Sequence, residues 1–161
     1  MDFDGLLYRA VDPDFWHQPL SGAGAAKHPQ RFNVAGMEAL YTAKDPQTVL
    51  CEKMQQGVLQ PLLLIAIRAR LTGLLDSRDP AALARFGVTA DEIGAEDWQD
   101  EARRAGQSAS QRFAVAVRDA GNRGMLVPSY AKGATERDVN VVLWDWEGAE
   151  VVDEDGCLSR R

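Results

Sequence analysis

Short runs of apolar residues, bounded by glycine, proline or charged residues, limit what this chain can fold into. Runs of this length are typical of buried β-strands, and they lie at residues 6–10, 39–43, 62–69, 74–76, 124–128 and 139–144. Segments with helical periodicity separate some of these runs but not others, so the regular βαβ alternation of a doubly wound sheet is missing. The sequence therefore predicts an α+β fold.

Two helices carry clear end signals. Asp45 can cap the first of them, with Pro46 at its first position and Gly57 at its end. The second is predicted over residues 110–120, where apolar side chains share one face and Gly121 can follow the last turn.

The segments between these elements are less regular. Residues 12–35 predict a long loop with at most one helical turn near residues 14–17, and long loops in compact domains often bind ligands. Residues 77–106 are rich in charge and predict helical or turn-like structure. We expect residues 139–144 to form the final core strand, and we expect the chain to end in a polar tail.

The chain has 161 residues, of which 45% are hydrophobic, and this is enough for one real core. We expect a single domain over residues 1–152 and a polar C-terminal tail over 153–161. Eighteen Lys and Arg stand against 24 Asp and Glu, which gives a net charge of −6. Such a surface repels phosphate backbones, so direct nucleic-acid binding is not expected.

Several classes of protein are disfavoured by what the sequence lacks. The N-terminus has no signal-peptide pattern, and the longest strongly apolar run, residues 62–67, is too short to span a bilayer. We therefore expect a cytoplasmic protein that does not enter a membrane. Two cysteines far apart and two histidines fit neither a disulfide scaffold nor a zinc site, so no metal is expected.

Five side chains occur where a core strand or helix does not need them: Arg9, Arg31, Tyr41, Glu52 and Ser129. Glu52 is the most unusual, since it follows Val49 by three residues and so lies near the inward face of its helix. A carboxylate in that place must be paired, hydrogen-bonded or in a cleft.

These residues also admit a structural interpretation. Arg9 and Glu52 could form a half-buried ion pair, Tyr41 could pack in the core, and Ser129 could belong to a turn. Spacing alone favours this interpretation. Dinucleotide binding of the glycine-rich type is weakly supported, because Gly22-x-Gly24 lacks the third glycine.

Five motifs follow one another along the chain: Leu7-Tyr8-Arg9-Ala10, Gln30-Arg31-Phe32-Asn33, Ala39-Leu40-Tyr41-Thr42-Ala43 with Thr48-x-x-x-Glu52, Leu126-Val127-Pro128-Ser129, and Asn140-Val141-Val142-Leu143. Together they resemble the RES-domain family, whose name stands for Arg, Glu and Ser. The resemblance spans residues 6–144. It implies a fold like that of the ADP-ribosyltransferases, in which helices flank a split mixed or antiparallel sheet.

The resemblance also implies roles for individual residues, with NAD as the substrate. It implies catalytic roles for Arg31, Glu52 and Ser129, and contacts to NAD from Arg9, Arg31, Tyr41 and Ser129. Arginines suit the pyrophosphate, an aromatic ring suits the nicotinamide, and a carboxylate suits the positive charge that develops on the ribose. Ser129 is expected to orient that ribose or Glu52 itself.

Members of this family are typically toxins of bacterial toxin–antitoxin pairs. The implied activity is cleavage of the nicotinamide–ribose bond and transfer of ADP-ribose to water, phosphate or a host protein such as an enzyme of nucleotide metabolism. The implied partner is an antitoxin with a helix-turn-helix DNA-binding part, and an oligomeric complex with it is left open. The alternative function is a catalytically silent module whose pocket serves only a protein partner.

The chain departs from the usual family pattern at two points. His28-Pro29-Gln30 precede Arg31 where glycine is common, and bulky Tyr130 follows Ser129 where a small residue is common. Both departures bear on the choice of acceptor more than on NAD binding.

Overall fold

In the computed structural model, residues 1–55 and 57–158 are described. Within these ranges the strands are β1 (Phe3–Val11), β2 (Leu40–Ala43), β3 (Leu63–Leu71), β4 (Leu74–Asp76), β5 (Gly124–Pro128), β6 (Val139–Leu143) and β7 (Ala149–Val151). The helices are α1 (Ala23–Lys27), α2 (Pro46–Met54), α3 (Pro80–Ala84), α4 (Ala90–Gly94), α5 (Trp98–Ala105) and α6 (Ala109–Asp119), with a 3₁₀ turn at Pro13–Phe15.

The strands form one mixed sheet in the order β4-β5-β6-β2-β1-β3-β7. Strands β4 and β5 run parallel, and the other neighbours are antiparallel. Strand β1 pairs with β3 along its whole length but meets β2 at one registered pair among the described residues, Tyr8 opposite Ala43. The sheet therefore opens between β1 and β2. The predicted α+β class and the split, mixed sheet are confirmed.

Two hydrogen bonds show how strongly the sheet curls. The amino group of Met1 donates to Leu74 O at 2.6 Å, and Leu74 N donates to Met1 O at 2.9 Å. They join the start of the chain to β4, although β1 and β4 lie four places apart in the sheet order. The inside of the curl holds one hydrophobic core, which includes Leu7, Leu40, Ile67, Leu126 and Val141.

A second hydrophobic core lies between the outer face of the sheet and the helices. Strand residues on this face pack against α3, α4 and α6; among the members of this core are Met125, Val142, Leu83, Ile93 and Phe113. Helix α6 is fixed at its start by a capping box, since Ser108 Oγ accepts from Gln111 N at 3.2 Å and Ser108 N donates to Gln111 Oε1 at 3.1 Å.

Most predicted elements are found within a few residues of their expected ends. Two elements of the structure, α1 and β7, were not predicted. The predicted loop at 12–35 contains the short helix α1, whose alanines and glycine carry no helical apolar stripe. Strand β7, which pairs with β3 at the edge of the sheet, is the second element that was not predicted. An edge strand of three half-buried or exposed residues shows no hydrophobic run, so the sequence gives no signal for it.

The proposed boundary between domain and tail at residue 152 stays a prediction. Within the tail, Asp153 accepts hydrogen bonds from Cys157 N at 2.6 Å and Leu158 N at 3.0 Å. The last three residues of the tail, and Gln56 within the predicted first helix, lie outside the described residues. Of the helices that the structure describes, none is long and apolar enough to cross a membrane.

Candidate active site

Glu52 lies on α2, and this helix is attached to the segment that joins β5 to β6. Asp45 begins the helix by accepting a hydrogen bond from Gln47 N at 2.8 Å. One turn before Glu52, the Thr48 hydroxyl donates to Asp138 Oδ1 at 2.8 Å. Hydrogen bonds, first from the Thr135 backbone and then from the side chains of Thr48 and Thr135, lower the pKa of Asp138, so it accepts them as a carboxylate.

Two donors converge on one oxygen of the Glu52 carboxylate. Ser129 Oγ and Asn140 Nδ2 each lie 2.6 Å from Glu52 Oε1. Ser129 Oγ accepts a hydrogen bond from Ala131 N at 3.2 Å, which leaves its own hydrogen for Glu52. Within the described residues nothing donates to Glu52 Oε2. The half-buried carboxylate is therefore held by one oxygen and offers the other to a ligand.

Asn140 was not among the predicted site residues, although it is part of one of the five motifs. A sequence signal existed, since Asn140 is the one polar residue in the apolar strand β6. The register pairs it with Ala43 on β2, and its side chain donates to Glu52 on α2.

We expect removal of the Asn140 donor to destabilise the protein. Asn140→Ala should lower the free energy of unfolding by about 1–3 kcal/mol, because a half-buried carboxylate loses a charge-assisted hydrogen bond. Asn140→Asp keeps the shape but places a second carboxylate beside Glu52, so it should cost more than alanine does at pH 7. Urea unfolding measures both, and an Asn140→Asp protein as stable as the parent would contradict this assignment.

The Arg31 backbone lies in a loop, residues 30–33, that is held mainly by side chains. Fully buried Asn33 donates from Nδ2 to Ala25 O at 2.7 Å and Met37 O at 3.2 Å. The Tyr41 hydroxyl donates to Asn33 Oδ1 at 2.8 Å and accepts from Phe32 N at 3.1 Å. Burial raises the pKa of Tyr41 well above its ordinary value, so the hydroxyl remains a neutral donor.

Two further side chains pair with the carbonyl groups of the same loop. Gln111 Nε2 on α6 donates to Gln30 O at 3.0 Å and to Asn33 O at 3.1 Å. Trp144 Nε1 donates to Phe32 O at 3.1 Å. The loop is thus bound from the sheet and from α6, which holds the start of the Arg31 side chain in one place.

The Arg31 guanidinium is held beside Glu52 by carbonyls and aromatic rings. Its Nη1 donates to Ile93 O at 3.2 Å and Ala95 O at 2.8 Å, at the end of α4. Its carbon Cζ lies 4.4 Å from the centre of the Tyr130 ring. Burial lowers the pKa of Arg31, and nearby acidic groups that include Glu52 oppose this shift. In the described part of the chain, its Nε and Nη2 have no hydrogen-bond partner.

The structure does not bring Arg9 into this cluster. The strand register through β2 places Arg9 and Asn140 on opposite faces of the sheet. Arg9 Nη2 donates to Ser21 O at 2.9 Å, and Nη1 is buried without a partner among the described residues. Arg9 pairs with no described carboxylate, so the ion pair with Glu52 in the structural interpretation is wrong. Burial lowers the pKa of Arg9 to about 10.

The arrangement therefore joins four of the five predicted site residues: Arg31, Tyr41, Glu52 and Ser129. A hydrogen bond links Ser129 to Glu52, the charge of Glu52 acts on Arg31, and the Tyr41 hydroxyl binds the loop that carries Arg31. Within the described residues, the fixed carboxylate has one oxygen without a donor and the nearby cation has two donor nitrogens without acceptors, which suits an anionic ligand that develops positive charge during a reaction. The role of each residue stays a prediction.

A family model described as the RES domain matches residues 6–159. The chain belongs to the RES domain family. The match covers nearly the whole length, so the resemblance carried by the five motifs is confirmed. No curated protein matches the chain.

The fold of this RES domain is shared by a solved structure. A chain from the crystal structure of the M. tuberculosis MbcT-MbcA toxin-antitoxin complex matches with a TM-score of 0.71 and 21% sequence identity. The match covers 95% of this chain and 84% of that chain. The cluster around Glu52 thus belongs to a domain with a known architecture.

Proposed function

We propose that this RES domain is the toxin of a toxin–antitoxin pair and that it cleaves the nicotinamide–ribose bond of NAD. The Glu52 carboxylate carries the proposal, because Ser129 and Asn140 hold it through Oε1 while no described residue donates to Oε2. Family membership and the fold shared with a chain from a toxin–antitoxin complex support it. The proposed function places the protein in the cytoplasm, where NAD is available.

The bond that breaks joins C1′ of the ribose to the nicotinamide nitrogen. Its electron pair leaves with nicotinamide, and positive charge develops on C1′ and the ring oxygen of the ribose. Glu52 stabilises this charge through Oε2 and a ribose hydroxyl, since Oε1 is already engaged. A nucleophile of the acceptor then bonds to C1′ and any proton that it carries passes to water, which completes transfer of ADP-ribose.

Two arginines are suited to the pyrophosphate of NAD. Arg31 has free donors at Nε and Nη2, as judged from the described residues, and these form the planar edge that binds phosphate oxygens. Arg9 is charged, half-buried and unpaired by any described carboxylate, with a buried Nη1 that lacks a partner. An anion at Arg9 would supply that partner, although Arg9 faces the other side of the sheet from Asn140.

The proposed activity is tested by incubating the pure protein with NAD and measuring free nicotinamide. Release above that of a Glu52→Gln protein is the expected result. No release under any condition would favour the catalytically silent module. NAD with a label on the adenine, added with a cell lysate, then shows whether ADP-ribose ends on a protein, on phosphate or in solution.

We further propose that the cognate antitoxin occupies the NAD site. A carboxylate of the partner can take the place of the pyrophosphate at Arg31. The loop at residues 12–35 ends at the site and would form part of the interface. DNA binding by the complex would come from a helix-turn-helix part of the antitoxin, because the chain itself has a net charge of −6.

The antitoxin proposal predicts weaker NAD binding by the complex. The Glu52→Gln protein is co-expressed with the product of the neighbouring reading frame, purified as a complex and titrated with NAD by calorimetry. The complex should show no heat of binding at NAD concentrations that saturate the free Glu52→Gln protein. Equal affinity in the two samples would mean that the antitoxin acts elsewhere.

A further inference from the structure

The Tyr130 ring lies against the Arg31 guanidinium, and the surrounding backbone is shaped to admit the ring. Arg31 Cζ is 4.4 Å from the Tyr130 ring centre and 5.6 Å from that of Trp98. A Cβ atom on Gly94 would lie 2.9 Å from Tyr130 Cε1, which is closer than contacts between such atoms allow. Phe32 contacts the Tyr130 ring from another direction, with 6.0 Å between ring centres.

The hydroxyl of Tyr130 does not account for this placement. It is buried, and none of the described residues forms a hydrogen bond with it. Burial raises the pKa of Tyr130 to about 12, so the side chain is neutral at physiological pH. The contact with Arg31 is therefore made by the face of a neutral ring, whose negative quadrupole attracts a cation.

Two kinds of contact hold Arg31, and among the described residues they leave the edge formed by Nε and Nη2 without a partner. Nη1 donates to Ile93 O and Ala95 O, and Cζ lies over the rings of Tyr130 and Trp98. An arginine held in this way has lost most of its side-chain freedom before any ligand binds. Less entropy is then lost when the ligand arrives, and the affinity is higher.

We infer that Tyr130 is a positioning residue, whose ring, with that of Trp98, clamps the Arg31 guanidinium so that its Nε and Nη2 edge receives an anionic group of the ligand. The expected effect on the affinity for NAD rests on the proposed function, whereas the positioning of Arg31 by the two rings does not. Tyr130 directly follows Ser129, so one short segment after β5 positions both the anion-binding cation and, through Ser129, the catalytic carboxylate.

The clamp is tested by two substitutions in a Glu52→Gln background. Tyr130→Leu removes the ring face, and Tyr130→Phe keeps the face and removes the hydroxyl. The first measurement needs no NAD: the ¹H–¹⁵N signal of Arg31 Nε, assigned by its loss in Arg31→Lys, reports the ring current and the mobility of the guanidinium. We expect this signal to shift and broaden in Tyr130→Leu and to stay near its parental position in Tyr130→Phe.

The second measurement is the affinity for NAD by calorimetry. Tyr130→Leu should raise Kd by about 2- to 30-fold, which is the range expected for loss of a cation–π contact. Tyr130→Phe should keep most of the parental affinity for NAD. Phe86→Leu is the matched control, since Phe86 packs edge-on against Phe113 in the same core and makes no ring contact with Arg31 within the described residues.

Each outcome separates the clamp from the proposed function. An unchanged Arg31 signal in Tyr130→Leu would overturn the clamp. Weakening of NAD binding in Tyr130→Phe as large as in Tyr130→Leu would overturn it too, because the hydroxyl would then be the active group. A shifted signal with no NAD binding even in the Glu52→Gln parent would support the clamp and contradict the proposed function. If Tyr130→Leu fails to fold, the Arg31 Nε signal is measured in Trp98→Leu and Tyr130→Phe instead. The clamp predicts that this signal shifts in Trp98→Leu and stays near its parental position in Tyr130→Phe, and an unchanged signal in Trp98→Leu would overturn it.

Discussion

Glu52→Gln is expected to reduce nicotinamide release at least about a hundredfold, the loss typical when a single electrostatic stabiliser of a transition state is removed. The carboxylate is half-buried, so its negative charge acts on the ribose with little screening by water. Glutamine has the same shape, and its carbonyl oxygen can accept the hydrogen bonds from Ser129 and Asn140 that Oε1 accepts now. The fold should therefore survive while the charge is lost.

A matched control is available in Glu96→Gln. Glu96 is exposed and lies close enough to oppose the lowering of the pKa of Arg31, but Ser129 and Asn140 do not bind it in the described structure. This variant should keep nearly the full rate of nicotinamide release. Circular dichroism and urea unfolding confirm that both variants fold. A Glu52→Gln protein that releases nicotinamide at the rate of the Glu96→Gln control would refute the assignment of Glu52.

Glu52 and Ser129 could be found from the sequence because each breaks a local rule. A glutamate at an inward position of a helix needs partners, and a serine after a strand-ending proline is close to the end of a buried strand. The family resemblance also implied that Ser129 orients the nicotinamide ribose or Glu52 itself, and the 2.6 Å hydrogen bond is consistent with the second of these roles. Such violations are visible without knowing the fold.

Asn140 and Arg9 show that local sequence patterns do not determine which polar side chains meet in the folded sheet. Asn140 is visible in the sequence as the one polar residue of β6, but the group that it meets depends on the order of strands, which puts β6 beside β2. Arg9 lies in an apolar strand as predicted, but the face to which it points depends on its register with β2 and β3. Only the assembled sheet determines which polar residues meet.

The clamp on Arg31 could not be predicted either. Its parts come from the loop at residues 30–33, the end of α4, the start of α5 and the segment after β5. In the sequence, Tyr130 is notable only as a bulky residue where a small one is common, and Trp98 gives no signal of its own, since aromatic side chains are common in any core. Their function depends on their geometry relative to one cation.

Arg31→Ala is expected to weaken NAD binding by about 10- to 100-fold, which corresponds to loss of a hydrogen-bonded charge at a half-buried site. The Arg31 guanidinium brings free donors at Nε and Nη2, as far as the described residues show, close to Glu52. Calorimetric titration in a Glu52→Gln background measures the affinity without turnover. Arg68→Ala is the control, because Arg68 is an exposed arginine on β3.

Arg31→Lys is the more informative variant, since it keeps the positive charge and removes the planar guanidinium group. An ammonium group can replace the hydrogen bonds to Ile93 O and Ala95 O only in part, and it has no flat face to lie on the Tyr130 ring. If it turns toward the carbonyls, it no longer presents two parallel donors to a phosphate. We therefore expect lysine to recover only a minor part of the affinity lost in Arg31→Ala. Full recovery would mean that the position requires only a positive charge, and equal affinity in the parent and both variants would return Arg31 to a purely structural role.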